Sequence, residues 1–407
     1  MATIQKKKES RRVKQSGEKT KAESQMAQNQ AEMTVEELIP QTRVEPRPYQ
    51  KKIIERVAGA FCDQNLRSVL IESPTGSGKT VMGLMAARLL QERLGLKIGW
   101  VAMRRNLLTQ AAAENRDMGI NAQISWISMF DKEPPTDLDM LVVDEAQHDG
   151  ASSMTFLHSV IQPRFILGLS ATPFRADKVK LCFDTVVKEA TIHRLIQDGY
   201  LSQYNHYTIP SYKPEIVADM YCNDKEKWGK SIMYFHTLNQ CNEAAESLRR
   251  NGVKADIVTG SSNRDAQLDA FRDGRTEVLL NCMVLAEGFN CPDIKTVFCR
   301  PSCKGVTIQM CGRVLRLHKD LPTKQIVQCQ KTRWPFVRTA KPAQQFVRVE
   351  DNWRSLEVNP QINQVTVRAI TAIARTDVKL PKFLTNGGVG ERRRRELQER
   401  RENRENS

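Results

Sequence analysis

Residues 68–80 read SVLIESPTGSGKT. The apolar run at its start predicts a buried strand, and the apolar positions after Thr80 predict a helix that extends to about Leu94. Between them, Gly76 and Gly78 permit left-handed backbone dihedrals, so successive N–H groups can surround an anion at the start of the helix. This strand–loop–helix order predicts a phosphate-binding loop formed by Pro74, Thr75, Gly76, Ser77, Gly78, Lys79 and Thr80.

Short apolar runs recur on both sides of this loop, and helical stretches separate most of them. Because strands that alternate with helices form parallel sheets covered on both faces, the pattern predicts an α/β fold with two tandem parallel-sheet domains. The further predicted strands are 98–102, 140–143, 165–169, 231–235, 255–259, 278–281 and 296–299.

The chain of 407 residues is long enough for two or three domains. Its first residues are charged or polar with few bulky apolar groups, which indicates a disordered arm. Residues 346–349 and 353–358 flank a polar turn and predict a β-hairpin near the carboxyl end. The expected segments are a basic arm (1–43), a first domain (44–210), a second domain (211–330) and a basic accessory extension with a charged tail (331–407).

Composition restricts the partners and the compartment. Lys and Arg number 62 against 47 Asp and Glu, a net charge of +15, which favours a polyanion such as nucleic acid.

Ten cysteines without a C-x-x-C pair predict reduced thiols. No apolar run approaches the ~20 residues that cross a bilayer, so we expect no membrane partner. The expected protein is intracellular and soluble, in the cytoplasm and nucleoid or in the nucleus depending on the host.

An acidic pair follows the apolar strand 140–143. Lys79 is predicted to bridge the β- and γ-phosphates of ATP, and the Thr80 hydroxyl to bind Mg²⁺. Asp144 would bind the same ion through water, and Glu145 would polarise the attacking water as the general base.

Two arginines in the second half complete this predicted site. Arg313 and Arg316 have the spacing of one helical turn, and Gln309 lies one turn earlier, so all three are expected on one helix face toward a cleft. There the arginines would neutralise charge that develops on the γ-phosphate. Ser170 and Thr172 end another buried strand, and their hydroxyls are expected to bond to the segment that contains Gln147 and His148, which would couple nucleotide state to the second domain.

These motifs, in this order, resemble those of the superfamily 2 helicases, in the DExH branch with the XPB-like, UvsW-like and RadD-like DNA motors. The resemblance covers roughly residues 45–320. Residues 47–50 (RPYQ) resemble the adenine-reading motif, 168–175 (GLSATPFR) motif III and 285–290 (LAEGFN) motif V. It implies two RecA-like domains, ATP in the cleft between them, and a nucleic-acid strand across both tops.

The resemblance also implies further site residues. Arg47 and Gln50 would contact adenine, and Glu287 and Gly288 would belong to the ATP site. The residues expected near the nucleic-acid backbone are Arg104, Arg105, Thr259 and Gly260.

Four positions depart from the family pattern. Ser73 stands where the phosphate loop usually opens with Gly or Ala, and residues 144–147 read DEAQ in place of DEAD or DEAH. Asn290 replaces a common Asp, and Met310 fills a position that is Arg in the DEAD branch. These departures argue against a DEAD-type RNA helicase.

The resulting expectation is an ATP-dependent, Mg²⁺-requiring DNA helicase or translocase that acts on single-stranded, forked or branched DNA or on repair intermediates. Two alternatives stay open. One is an RNA helicase of the same superfamily, with RNA as the partner. The other is a nucleic-acid-binding motor subunit of a nuclease complex, in which ATP switches the conformation. The oligomeric state is left open.

Overall fold

The computed structural model describes residues 33–148, 152–173, 181–282, 285, 291–349 and 352–357. Within these residues, helices surround two separate β-sheets, of six and eight strands. The predicted α/β fold with two parallel-sheet domains is confirmed.

The first sheet has the strand order β3-β2-β4-β5-β1-β6, and all of its paired strands are parallel. Every residue of β2 and β4 is buried, as expected where helices cover both faces. The strands are β1 (Ser68–Glu72), β2 (Ile98–Ala102), β3 (Ile124–Ser128), β4 (Met140–Asp144), β5 (Phe165–Ser170) and β6 (Thr185–Val187). The helices are α1 (Val35–Leu38), α2 (Pro48–Cys62), α3 (Lys79–Leu94), α4 (Arg105–Asp117), α5 (Ser152–Ile161) and α6 (Ile192–Gln197).

The second sheet has the order β14-β13-β7-β12-β11-β8-β10-β9, and its pairs from β13 to β9 are parallel. Its strands are β7 (Gln203–Ile209), β8 (Ser231–Tyr234), β9 (Ala255–Val258), β10 (Val278–Asn281), β11 (Thr296–Phe298), β12 (Thr323–Cys329), β13 (Gln345–Val349) and β14 (Asn352–Ser355). Its helices are α7 (Pro214–Asn223), α8 (Lys225–Trp228), α9 (Leu238–Arg250), α10 (Arg264–Arg272) and α11 (Lys304–Gly312).

Strand β7 belongs to the second sheet, although the sequence placed residues up to 210 in the first domain. It pairs with β12 over seven residues, from Gln203↔Thr323 to Ile209↔Cys329. The chain therefore passes from the first sheet to the second after β6, which ends at Val187, and before β7. A local pattern could not reveal this, because the partner strand is more than 100 residues away in the chain.

The segment expected as an accessory extension also contributes to the second sheet. β13 pairs with β7, and β14 is the neighbour of β13, so the two strands of the predicted hairpin lie side by side. The Phe346 ring stacks on Tyr207 with centroids 4.9 Å apart, and Trp353 meets the same ring edge-on at 4.8 Å. These aromatic contacts attach the strands to the core of the sheet. Residues 358–407, with the charged tail, lie outside the described residues.

The ordered chain starts earlier than the expected boundary at residue 43. Thr34 begins α1, because its hydroxyl accepts a hydrogen bond from the backbone N–H of Glu37 while the Glu37 carboxylate accepts one from the Thr34 N–H. Val35 and Leu38 are buried in the core of the first sheet. The expectation of a disordered arm over 1–43 is therefore wrong for residues 33–43, and residues 1–32 lie outside the described chain.

None of the helices in the described ranges is both long and apolar enough to cross a membrane. The ten cysteines are all free thiols.

Candidate nucleotide site and nucleic-acid edge

The phosphate-type loop lies between β1 and α3 and has the backbone that its sequence predicts. Gly76 and Gly78 have φ of 83° and 81°, in the left-handed region. The loop opens into a cavity of about 530 Å³. Its lining contains residues from both halves of the chain, among them Arg47, Gln50, Thr75, Gly76, Gly78, Lys79, Thr80, Asp144, Glu145, Arg313 and Arg316.

Ser73 gives the loop an internal hydrogen bond. Its Oγ lies 2.7 Å from Oγ of Ser77, and both side chains are buried. The Ser73 N–H donates to the carbonyl oxygen of Ser170 at 3.0 Å, which connects the loop to the end of β5. A Gly or Ala at this position could not make the side-chain bond.

The residues expected to contact adenine also support the loop. Tyr49 Oη and Gln50 Nε2 both donate to the carbonyl oxygen of Ser77, at 2.6 and 2.9 Å. Gln50 Oε1 in turn accepts a bond from the Arg47 N–H at 2.9 Å. The Arg47 guanidinium lies 4.6 Å from the ring centroid of Tyr200, which also lines the cavity. The sequence interpretation missed Tyr200, because no local motif accompanies an aromatic residue in the loop after α6.

Lys79 is half-buried at the start of α3, where its side chain folds back onto the loop. Its Nζ donates to the carbonyl oxygens of Ser73 at 3.2 Å and Pro74 at 3.4 Å. Burial lowers the pKa of Lys79, and the carboxylates of Glu145 and Asp144 act in the opposite direction. The ammonium group is thus close to both the loop and the acidic pair.

The acidic pair stands at the end of β4. Burial raises the pKa of Asp144 to about 7, and the neighbouring Glu145 contributes to the increase. Glu145 has φ of 54°, a left-handed conformation that is unfavourable for a residue with a Cβ. Backbone strain of this kind is concentrated at functional sites, where the surrounding structure maintains it.

A hydrogen-bonded chain links Glu145 to the end of β5. Gln147 Nε2 donates to Oε2 of Glu145 at 2.9 Å, and the Ser170 hydroxyl lies 2.7 Å from Oε1 of Gln147. Ser170 Oγ also accepts a bond from the Thr172 N–H at 3.1 Å. His148 ends the short 3₁₀ turn of this segment, and its N–H donates to the Glu145 carbonyl oxygen at 3.1 Å. The structure therefore brings together the four residues that the sequence grouped for coupling.

The two arginines reach the cavity in a different way from the one expected. Helix α11 ends at Gly312, so Arg313 and Arg316 are not one turn apart on a helix. After the helix, Ser202, the residue before β7, donates its N–H to the carbonyl oxygen of Leu315 at 2.8 Å and its hydroxyl to the carbonyl oxygen of Arg316 at 3.0 Å. These bonds attach the segment that carries the two arginines to the start of the second sheet. Both arginines still line the cavity.

Gln309 is buried on α11, one turn before Arg313, but it is not among the described residues that line the cavity. The end of its helix packs tightly on the loop, because a methyl group on Gly312 would lie 2.9 Å from Cβ of Thr75. The second half of the chain therefore contacts the phosphate loop directly.

Helix α4 contributes a wall that the sequence interpretation did not assign. Leu107, Gln110, Ala111 and Glu114 occupy one helix face and line the cavity. Gln110 Nε2 donates to Oε1 of Glu114 at 3.1 Å, and burial raises the pKa of this carboxyl while Arg316 opposes the increase. The spacing of these four residues predicts an amphipathic helix. Only the tertiary structure shows that their face of the helix borders the cavity.

Arg316 is half-buried, whereas Arg313 is buried. Burial and then the charge of Arg313 lower the pKa of Arg316 to about 10, whereas Glu114 acts in the opposite direction. Two adjacent guanidinium groups in a buried cavity favour an anionic ligand between them.

The residues expected to contact nucleic acid lie where strands end. Arg104 precedes α4 after β2, and Arg105 is the exposed first residue of that helix. Thr259 and Gly260 follow β9 in the second sheet, where Thr259 Oγ1 accepts a bond from the Ser262 N–H at 3.0 Å.

Arg264 begins α10, on the second sheet's side of this edge. Burial and then the charge of Arg104 lower the pKa of Arg264 to about 10, so an arginine of each half lies near the other. Glu287 and Gly288 lie outside the described residues.

Two family models match the chain. Residues 43–134 match the model of the type III restriction enzyme res subunit, and residues 212–318 match the helicase conserved C-terminal domain. With two parallel sheets and one cavity lined by both a phosphate-type loop and two arginines, the chain has the arrangement of superfamily 2 helicases. Over the two matched regions it is similar to this superfamily.

Individual relatives are distant. The chain is 26% identical over 341 residues to the ATP-dependent helicase IRC3 of Saccharomyces cerevisiae, covering 67% of this chain and 49% of that protein. An HsdR-type subunit of a type I restriction enzyme from Vibrio vulnificus has a similar fold (TM-score 0.55, 17% identity, 77% of this chain and 71% of that chain). So does Dbp5 of Saccharomyces cerevisiae bound to RNA and ADP BeF3 (TM-score 0.52, 20% identity, 73% and 89%). The chain spans about half the length of its curated relatives.

Proposed function

We propose that this chain hydrolyses ATP in the cavity and uses the cycle to move on, or remodel, DNA, including forks, branched structures and repair intermediates. One observation carries the proposal. A single cavity is lined by Lys79, Asp144 and Glu145 from the first half of the chain and by Arg313 and Arg316 from the second. A nucleotide bound there would touch both halves, so its hydrolysis could change how they are arranged.

The triphosphate is expected to lie along the loop from Thr75 to Thr80. Its backbone N–H groups and the Lys79 ammonium supply the positive potential that phosphate oxygens require. Arg47 and Gln50, together with Tyr200, form the part of the cavity suited to the base, because an aromatic ring and amide groups can stack on and hydrogen-bond to adenine.

The residues present suit a magnesium ion. Thr80 and Asp144 both line the cavity, and a hydroxyl and a carboxylate are the hard oxygen donors that Mg²⁺ prefers. When bound, the ion would neutralise charge on the β- and γ-phosphate oxygens.

Glu145 is the proposed general base, because its carboxylate lines the cavity next to Asp144 and Gln147 orients it by a hydrogen bond. The same Gln147 is bonded to Ser170, at the end of the strand that leads to Thr172. A change at Glu145 on hydrolysis would thus be transmitted along this chain of bonds, which is the proposed coupling route.

Gly78→Ala is expected to weaken ATP binding by more than about tenfold. An added methyl group would lie 2.6 Å from Nε2 of Gln50, which holds the loop through Ser77, and the left-handed φ of 81° would be strained. Titration with a fluorescent ATP analogue measures the change. Gly95→Ala is the control, because φ is 65° there but nothing lies within 4 Å of the new methyl group. Equal affinities in the two variants would contradict the assigned loop.

The proposed track follows the strand ends, with Arg104 and Arg105 on the first sheet and Thr259 and Gly260 on the second. DNA is preferred because the DEAQ sequence departs from the DEAD pattern, and because the first-domain family model and the HsdR-type neighbour are named for restriction enzymes. The same names support the alternative of a motor subunit in a nuclease complex. Dbp5, bound to RNA, supports the RNA-helicase alternative. The narrower resemblance to XPB-like, UvsW-like and RadD-like motors stays a prediction.

The test is steady-state ATP hydrolysis with no polymer, single-stranded DNA, duplex DNA, forked DNA and single-stranded RNA. We expect strong stimulation by DNA, greatest with forked DNA, and a decline as salt rises, because contacts to phosphates release counterions. Stimulation by RNA alone would replace the proposal with the RNA alternative. Turnover indifferent to every polymer and to salt would contradict a nucleic-acid motor.

A further inference from the structure

Phe130 is an aromatic side chain placed in solvent. It is 61% exposed, more than any other large apolar side chain in the described chain. Isolated exposed apolar residues are common, so exposure alone says little. Phe130 is of interest because it lies just after β3, at one edge of the first sheet.

The ring lies at the same edge as the basic residues that follow β2. The β2–β3 ladder ends with Ala102 opposite Ser128, and the Met129 N–H still donates to the Ala102 carbonyl oxygen at 2.9 Å. Two residues beyond this last pair are Phe130 on one strand and Arg104 on the other. Phe130 and Arg104 therefore both follow the ends of two paired strands, at the same edge of the first sheet.

The backbone around Phe130 is held in a turn. Its N–H donates to Oγ of Ser128 at 3.3 Å, and the Asp131 N–H donates to the Ser128 carbonyl oxygen at 2.9 Å. Met129 is buried in the core of the first sheet, whereas the side chain of the next residue is exposed. The structure thus directs the ring outward and does not cover it.

The charges near the ring disfavour a phosphate at that point. Asp131 and Glu133 follow Phe130, with one lysine between them, whereas the positive groups are Arg104 and Arg105 on the adjacent strand end. Proteins that bind single strands combine a basic path for the backbone with aromatic rings on which bases stack. Arg104 and Arg105 supply the first element here, and Phe130 supplies the second.

We propose that Phe130 stacks on a base of a single nucleic-acid strand whose phosphates lie along Arg104 and Arg105. This inference rests on the proposed nucleic-acid function. Because every base has an aromatic face, the contact would strengthen binding without reading sequence.

Binding of a labelled single-stranded oligonucleotide to the full chain tests this contact. Phe130→Ala is expected to raise Kd by about tenfold, since loss of one stacked base typically has that effect. Phe130→Tyr should restore binding, and Phe130→Leu should not, because leucine keeps the apolar volume but has no ring. Phe156→Ala, which removes a 42% exposed phenylalanine from α5, is the matched control and should leave Kd unchanged.

A strand of abasic sites separates stacking from a structural effect. On that strand, the parent protein and Phe130→Ala should bind with the same Kd, because there is no base to stack on. A tenfold difference that persists on the abasic strand, or Phe130→Leu binding as well as Phe130→Tyr, would overturn the stacking role. If Phe130→Ala binds the normal strand as the parent does, this inference fails alone. If the parent binds no nucleic acid, the proposed function fails with it.

Discussion

Glu145→Gln is expected to lower kcat for ATP hydrolysis by about a thousandfold, the usual contribution of a general base. The amide keeps the size of the carboxylate and an oxygen that can accept the hydrogen bond from Gln147, but it cannot take a proton from the attacking water. Because Lys79 and the phosphate loop are unchanged, the affinity for ATP should stay within a few-fold of the parent protein.

Two measurements separate chemistry from binding: single-turnover hydrolysis gives the rate, and titration with a fluorescent ATP analogue gives the affinity. Glu55→Gln, an exposed change of the same type on α2, is the control for general damage. Undiminished turnover in Glu145→Gln would remove Glu145 as the base. A parallel loss of ATP binding would indicate that the variant has disturbed the site and not only the proton transfer.

Arg313→Lys is expected to lower kcat by about a thousandfold or more, the effect of removing an arginine that stabilises charge on a transferring phosphoryl group. Lysine keeps the positive charge but lacks the planar fork that binds two phosphate oxygens at once. Arg313 is only 5% exposed and lines the cavity from the second half of the chain. A water molecule between lysine and the phosphate therefore cannot replace the direct contact of the arginine. The loss should appear in kcat and much less in the affinity for ATP.

The control for Arg313→Lys is Arg275→Lys, in an exposed arginine that pairs with Asp273 on the surface of the second half. Both variants should bind an oligonucleotide as the parent does, which would show that the second domain is folded. The Glu145→Gln/Arg313→Lys double variant adds a further test. Two groups that act on one transition state give non-additive losses, so its defect should be much smaller than the product of the two single defects. Full kcat in Arg313→Lys would contradict its role at the γ-phosphate.

The phosphate loop and the acidic pair could be predicted because their signals are local. Two glycines four and six residues after a buried strand permit left-handed dihedrals, and the structure has them at Gly76 and Gly78. The buried run that leads to Asp144 is a strand for the same local reason, an unbroken apolar stretch of the right length. The group formed by Gln147 and Ser170 was also foreseeable, since Gln147 follows β4 and Ser170 ends β5, and these neighbouring parallel strands end at one edge.

Other features depended on contacts between distant parts of the chain. The sequence indicates a helix that carries Arg313 and Arg316, yet the helix ends at Gly312, and Ser202, from a distant part of the chain, is bonded to the segment that follows. Tyr200 and Glu114 carry no motif, and they line the cavity only because α4 and the loop after α6 pack beside it.

By itself, the sequence determined the two α/β halves, the phosphate loop and the identity of the charged groups, because periodicity, glycine and strand–turn–helix order act over a few residues. Only the tertiary structure decided that β7 belongs to the second sheet, that Arg316 reaches the loop without a helix, and that Phe130 stands in solvent at the end of β3. These features depend on long-range pairing and burial, for which the order of residues along the chain provides no local signal.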